Sequence, residues 1–257
     1  MQILLVILHG WGASAKSYDK LKPLLEQKGI SVFVFDLPGF GSEPAPPSAW
    51  AVDDYVEWVR EKIVNIEKNA NQTSSQPTPY QVGGEKRIAL FGHSFGGRIA
   101  IKLAARYPEK IEKLILCDAA GITPRPKAAL NLFRIISVVG KAIFSLPILN
   151  YIKPVAKKFI YFLAGAKDYS RLENPVMKNI FGKVISEDLT SFLSDIKSQT
   201  LIIWGKDDKE TPISDAYAMR DKIINSKLEI LEEVGHSPHL ECPEKLAEII
   251  GGFASQL

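Results

Sequence analysis

At 257 residues, with 46% hydrophobic and 24% charged side chains, the chain is able to bury a sizeable core, which argues against general disorder. A formal net charge of +3 is too mild and too dispersed to mark a nucleic-acid binder. The two cysteines, Cys117 and Cys242, are far apart and lack CxxC or histidine-spaced partners, so neither a zinc site nor a disulfide framework is indicated and a reducing, cytoplasmic setting is expected.

The opening MQILLVILHGWG lacks a basic leader and a small-residue cleavage site, so Ile3 to Leu8 predicts a buried strand rather than a signal peptide. Helical spacing over Ser17 to Lys28 leads to a strand over Ser31 to Phe35, then to a helix over Val52 to Lys68. Asn69 to Glu85 is rich in Pro, Gly, Ser and Gln and reads as a solvated connection. A strand over Arg87 to Phe91, a helix over Phe95 to Arg106 and a strand over Leu114 to Cys117 follow. Gly121 to about Asp195 is too long for a crossover, is mostly helical in pattern and is broken at Pro147, Pro154 and Pro175. It predicts an inserted helical cap, dividing the chain into a core of residues 1–121 and 196–257 and a cap of residues 122–195. The remaining runs predict strands over Thr200 to Trp204 and Lys227 to Leu231, with helices over Ser214 to Ile224 and Glu244 to Phe253. The strand runs read as continuously apolar, the pattern of strands covered on both faces. Strand and helix in alternation imply an α/β architecture, a doubly wound, mostly parallel sheet of about six strands, whose ligands bind beyond the strands' carboxyl ends. No uncharged apolar run reaches the ~18 residues of a spanning helix.

The chemistry concentrates in RIALFGHSFGGRIAIKLAARYP. Gly92, Ser94 and Gly96 form GxSxG between a predicted strand and a predicted helix, the setting in which a sharp turn presents a serine at the top of a sheet. Side chains two residues either side of the serine would collide, which is why glycine is wanted there. A serine hydroxyl is a poor nucleophile without a base, and that base needs an acid to orient it. His236, in EEVGHSPHLECPE, follows the final strand run; Asp207 and Asp208, in LIIWGKDDKETP, follow the Leu201 to Trp204 run. The order Ser, Asp, His is the one elbow-type hydrolases use.

With these residues the sequence resembles the α/β-hydrolase fold family over nearly its whole length apart from the cap. HGWG (His9 to Gly12), DLPGFGS (Asp36 to Ser42), WGKDDKETP (Trp204 to Pro212) and GHSPHLECP (Gly235 to Pro243) match family segments in order, and the third selects Asp208 over Asp207. The family's antiparallel hairpin before the HGxG strand is missing, since the chain opens on that strand. The resemblance implies a serine hydrolase that cleaves carboxylic esters through an acyl-enzyme: Ser94 attacks, His236 is the base, and Asp208 orients it, with Asp118 after the KLILCD strand as the rival acid. It also implies an oxyanion hole of the Trp11 and Phe95 backbone N–H groups, and neither cofactor nor metal. His9 is expected to brace its loop, His93 to be buried at the elbow and His239 to order the His236 loop.

From Ile122 to Lys167 there is no acidic residue, whereas Arg125, Lys127, Arg134, Lys141, Lys153, Lys157, Lys158 and Lys167 are basic and interleaved with apolar residues. Such a lid favours a small-molecule ester with an apolar acyl or aromatic part, and its basic face suits an acidic carrier or a membrane surface, a solvated helical face being the plainer reading. The resemblance leaves open a carbon–carbon bond hydrolase of ring-cleavage products and an acyl-carrier methyl esterase, and outside enzymes a receptor-like binding module.

Overall fold

A computed structural model of the protein describes residues 3–72, 87–122 and 174–254. Six strands, β1 (Ile3–Leu8), β2 (Ser31–Val34), β3 (Arg87–His93), β4 (Lys113–Cys117), β5 (Gln199–Gly205) and β6 (Ser226–Leu231), form one sheet in the order β2-β1-β3-β4-β5-β6. Every neighbouring pair is parallel. Parallel neighbours require crossover connections, and helices occupy the intervening and final segments: α1 (Leu21–Gln27), α2 (Val52–Gln72), α3 (Phe95–Arg106), α4 (Pro175–Ser186), α5 (Ile213–Lys222) and α6 (Pro243–Ala254).

The uninterrupted apolar reading of β1 has a direct cause. Leu4, Val6 and Leu8 enter a core shared with Tyr55, Val56 and Val59 of α2 and Ile99 and Leu103 of α3. Ile3, Leu5 and Ile7 point the other way, into a second core with Leu21 and Leu25 of α1 and Leu246 and Ile250 of α6. A strand with helices on both faces has no face to leave polar.

Two expectations change. β6, SKLEIL, alternates between exposed and more buried positions and is not covered on both faces. Among the described strands it lies at the sheet edge with β5 as its single neighbour, and Lys227 and Glu229 occupy its exposed positions, where charge discourages further strand pairing. The helix expected over Ser17 to Lys28 divides into a 3₁₀ turn, Ala15–Tyr18, and α1, with Pro23 inside the first turn of α1, where its missing N–H costs nothing.

Most of the expected cap, including all eight basic residues from Arg125 to Lys167, lies outside the described residues, as does most of the connection over Asn69 to Glu85. The described return, α4 and the 3₁₀ segment Thr190–Asp195, packs Met177, Ile180, Val184, Leu189 and Leu193 into the core beneath α3. Charge pins it there. Lys102 of α3 is buried, and its ammonium pairs with Asp53 of α2 and with Glu187, while the Arg98 guanidinium donates to the Glu187 carbonyl at 2.8 Å. Among the described residues, no helix is long and apolar enough to cross a membrane.

Candidate active site

β3 ends at His93 and α3 begins at Phe95, so Ser94 alone makes the turn, with φ 49° and ψ −112°. A residue with a Cβ occupies that left-handed region only when its surroundings hold it there. They do so through three bonds: the Ser94 N–H donates to the Cys117 carbonyl at 3.3 Å, and the Ser94 carbonyl accepts from Gly97 and Ala120, each at 3.0 Å. The flanking glycines answer a packing demand. A Cβ at Gly96 would overlap the Leu8 carbonyl, and one at Gly92 would lie 2.6 Å from the Gly96 carbonyl oxygen and 2.7 Å from the Ala100 Cβ.

His236 lies on the loop after β6, and its Nδ1 is 2.8 Å from Oδ2 of Asp208, on the loop after β5. Asp207 is exposed and has no part in this contact. The Asp208 carboxylate also accepts the Glu210 N–H at 2.7 Å, the Thr211 N–H at 3.1 Å and the Thr211 hydroxyl at 2.5 Å. Nε2 of His236 faces the exposed Glu210 carboxylate at 3.4 Å. His93, the residue before Ser94, reaches the His236 loop: its Nε2 bonds the His236 carbonyl at 2.6 Å, with the two ring centroids 4.9 Å apart. The Ser94 hydroxyl makes no hydrogen bond to a described residue.

These contacts set the charges. Burial would raise Asp208, but the bonds from His236 and Thr211 outweigh it and hold the carboxyl down at about 2. Burial would lower His236, yet the hydrogen bond and charge of Asp208, followed by the charge of Glu210, raise it above its ordinary value. A carboxylate that stays ionised therefore fixes Nδ1–H, leaving Nε2 as the ring nitrogen that this bond does not engage. His93 and His239 are both pushed down, chiefly by burial, and stay neutral.

The HGWG loop lies against the serine turn, for a Cβ on Gly10 would be 3.3 Å from the Ser94 Cβ. His9 fixes this loop: its Nε2 accepts the Leu37 N–H at 2.9 Å, so Nδ1 carries the proton and donates to the Gly10 carbonyl at 2.8 Å. Neither the Trp11 N–H nor the Phe95 N–H donates to a described residue. The Trp11 ring packs edge-on against Phe40 at 4.9 Å, Phe95 at 5.2 Å and Phe181 of α4 at 5.0 Å, an apolar wall beside the serine turn. His239 is buried and stacks on Tyr18 at 4.5 Å.

An alpha/beta hydrolase family model matches residues 5–249. The chain is an α/β-hydrolase. It is 25% identical over 272 residues to a monoacylglycerol lipase, ABHD6, of Bos taurus, covering 98% of this chain and 75% of that protein. It is 23% identical over 273 residues to a 2-hydroxy-6-oxononadienedioate/2-hydroxy-6-oxononatrienedioate hydrolase of Klebsiella pneumoniae, covering 98% and 86%. A solved esterase of Exiguobacterium antarcticum superposes with a TM-score of 0.70 at 23% identity, covering 99% of this chain and 92% of that one.

The hydrolase also uses residues that sequence reasoning passed over. Thr211 and Glu210 close a turn on Asp208, and Asp-Lys-Glu-Thr, an aspartate followed by donors two and three residues on, is the local signal for it. Asp118 does not replace Asp208 beside the imidazole nitrogen; it sits behind the pair, and ligand atoms of Asp118, Asp208 and His236 lie within 4.8 Å of one another. That spacing suits a cation, but the Asp208 oxygens and His236 Nδ1 are engaged with one another and with Thr211 and Glu210. Within the cluster, the Asp208–His236 hydrogen bond is the direct link, at 2.8 Å.

Proposed function

We propose that this hydrolase cleaves carboxylic esters through an acyl-enzyme on Ser94. His236 Nε2 takes the Ser94 proton as the hydroxyl oxygen bonds the acyl carbon, and the carbonyl electrons move onto oxygen. Collapse of that oxyanion expels the alkoxide, which takes the proton from His236; water, deprotonated in turn by His236, then releases the acid and restores Ser94. Asp208 stabilises the imidazolium and holds its tautomer. The N–H groups of Trp11 and Phe95, one in the loop against Ser94 and the other next to it, are the donors proposed for the oxyanion. The observation that carries this reading is the 2.8 Å Asp208–His236 bond, with the His236 carbonyl bonded by His93, the residue preceding a serine held at positive φ.

The aromatic wall of Trp11, Phe40, Phe95 and Phe181 supports an apolar acyl or aromatic substrate. Because Phe181 belongs to α4, the proposal extends to residues 122–195 acting as a cap over the site. The buried Cys117 and half-buried Cys242, both free, support a reducing compartment. The Klebsiella pneumoniae relative favours a second reading, cleavage of 2-hydroxy-6-oxo-dienedioates by the same residues.

Fluorophosphonate labelling and turnover of an ester series of graded acyl length, run beside a 2-hydroxy-6-oxo-dienoate, test both. The expected result is labelling at Ser94 alone, many turnovers per site on esters, and a loss of about 10⁶-fold in kcat for Ser94→Ala. Undiminished turnover by Ser94→Ala overturns the mechanism, faster turnover of the dienoate selects the second reading, and a single turnover per site points to a receptor-like binding module.

A further inference from the structure

Asp118 has no part in the ester mechanism, yet it is fully buried at the end of β4 with φ 43°, a second left-handed residue beside the serine turn. Its conformation is held by two bonds: its N–H donates to the Ile203 carbonyl at 3.0 Å, and its Oδ1 accepts the Gly205 N–H at 2.9 Å. The carboxyl is thereby held so that its oxygen lies within 4.8 Å of an Asp208 oxygen and of a His236 ring nitrogen.

Two buried carboxylates this close repel when both are ionised, which favours one proton held by the pair. The donors decide which oxygen carries it. Asp208 accepts from the Glu210 and Thr211 amides, the Thr211 hydroxyl and His236, all of which favour its charge. Asp118 has one amide and the weak thiol of Cys117, 3.5 Å from its Oδ2. The titratable groups around it are Cys117 on its own strand, Asp208 after β5, His236 after β6 and Cys242 before α6. Of these, His236 alone is able to carry positive charge, and Asp208 holds it directly. We propose that Asp118 is a neutral carboxylic acid that donates its proton to Asp208, so that a two-carboxyl unit sharing one proton stands behind His236.

The proposal deepens the reading of Asp208 and His236 as acid and base, and makes Asp118 a positioning residue. Its proton anchors the Asp208 side chain from behind without competing for the imidazole. Burial first, then the neighbouring Asp208, raises the Asp118 carboxyl to about 8, so loss of the proton places a second negative charge behind the base just above neutral pH.

Infrared spectra of the whole protein, titrated from acid to alkaline pH, test the proton without reference to catalysis. The expected result at neutral pH is a carboxylic-acid C=O band that disappears with a midpoint near 8, survives in Ser94→Ala and is missing from Asp118→Asn. Asp215, another buried carboxyl that burial raises, to about 6, is separated by its midpoint. Absence of the band near neutrality, or its survival in Asp118→Asn, overturns the proposal, and the wild-type midpoint alone decides it should that variant fail to fold. On an ester substrate, Asp118→Ala should lower kcat about tenfold, the cost of one lost bond to a charged group, with KM little changed. Asp118→Asn, which keeps an N–H donor, should recover most of that loss; equal losses in the two variants count against a positioning role. A band that behaves as expected in a protein without esterase activity keeps the shared proton and rejects the ester reading.

Discussion

Gly205 ends β5, and the backbone of the His236 loop rests directly on it. A methyl group there would lie 2.5 Å from the Val234 carbonyl oxygen and overlap that of Gly235, the residue before His236. Restoring an ordinary contact of about 3.5 Å requires the loop to retreat by roughly 1 Å. Gly205→Ala therefore lengthens the Asp208–His236 bond and carries Nε2 away from Ser94, and a displacement of about 1 Å in a reacting group costs on the order of 10²-fold in rate. Overpacking should destabilise the fold by about 1–3 kcal/mol. The assay is kcat/KM on a chromogenic short-chain ester at a temperature where thermal unfolding shows the variant fully folded. Gly182→Ala is the control, since no described residue lies within 4 Å of a methyl group at that position in α4. Gly205→Ala activity within threefold of wild type would refute the argument that this glycine exists to seat the His236 loop.

Two further outcomes follow from charges already described. His236 must be neutral to accept the serine proton and its pKa is raised, so the acid limb of kcat/KM should lie above 6.5; Glu210→Gln removes one raising charge and should move that limb to lower pH, a shift a pH–rate profile detects. Lys113 of β4 is buried, with its ammonium donating to the Phe253 carbonyl at 2.5 Å and the Ala254 carbonyl at 3.4 Å, at the C-terminal end of α6. Lys113→Met should cost about 1–3 kcal/mol by leaving those carbonyls without their donor, seen as a Tm lowered by several degrees with ester kinetics preserved.

Local sequence carried the sheet because the central strands have helices on both faces: ILLVIL has no polar position to blur its reading, and Phe95–Arg106 begins and ends where glycine placement and helical spacing set it. The same logic misread β6, whose alternation is that of an edge strand, since which strand lies at an edge depends on pairing across the whole chain. Motif register singled out Asp208 over Asp207, and the GxSxG spacing marked Ser94 as the turn residue, because both are consequences of backbone geometry over fewer than ten residues. No local pattern records that the His93 ring reaches the His236 carbonyl 143 residues away, or that oxygens of Asp118 and Asp208 come within 4.8 Å of each other. Those contacts arise only when β3, β4, β5 and β6 align in register and bring their ends to one rim, where burial and proximity, not residue type, decide which carboxyl keeps its proton.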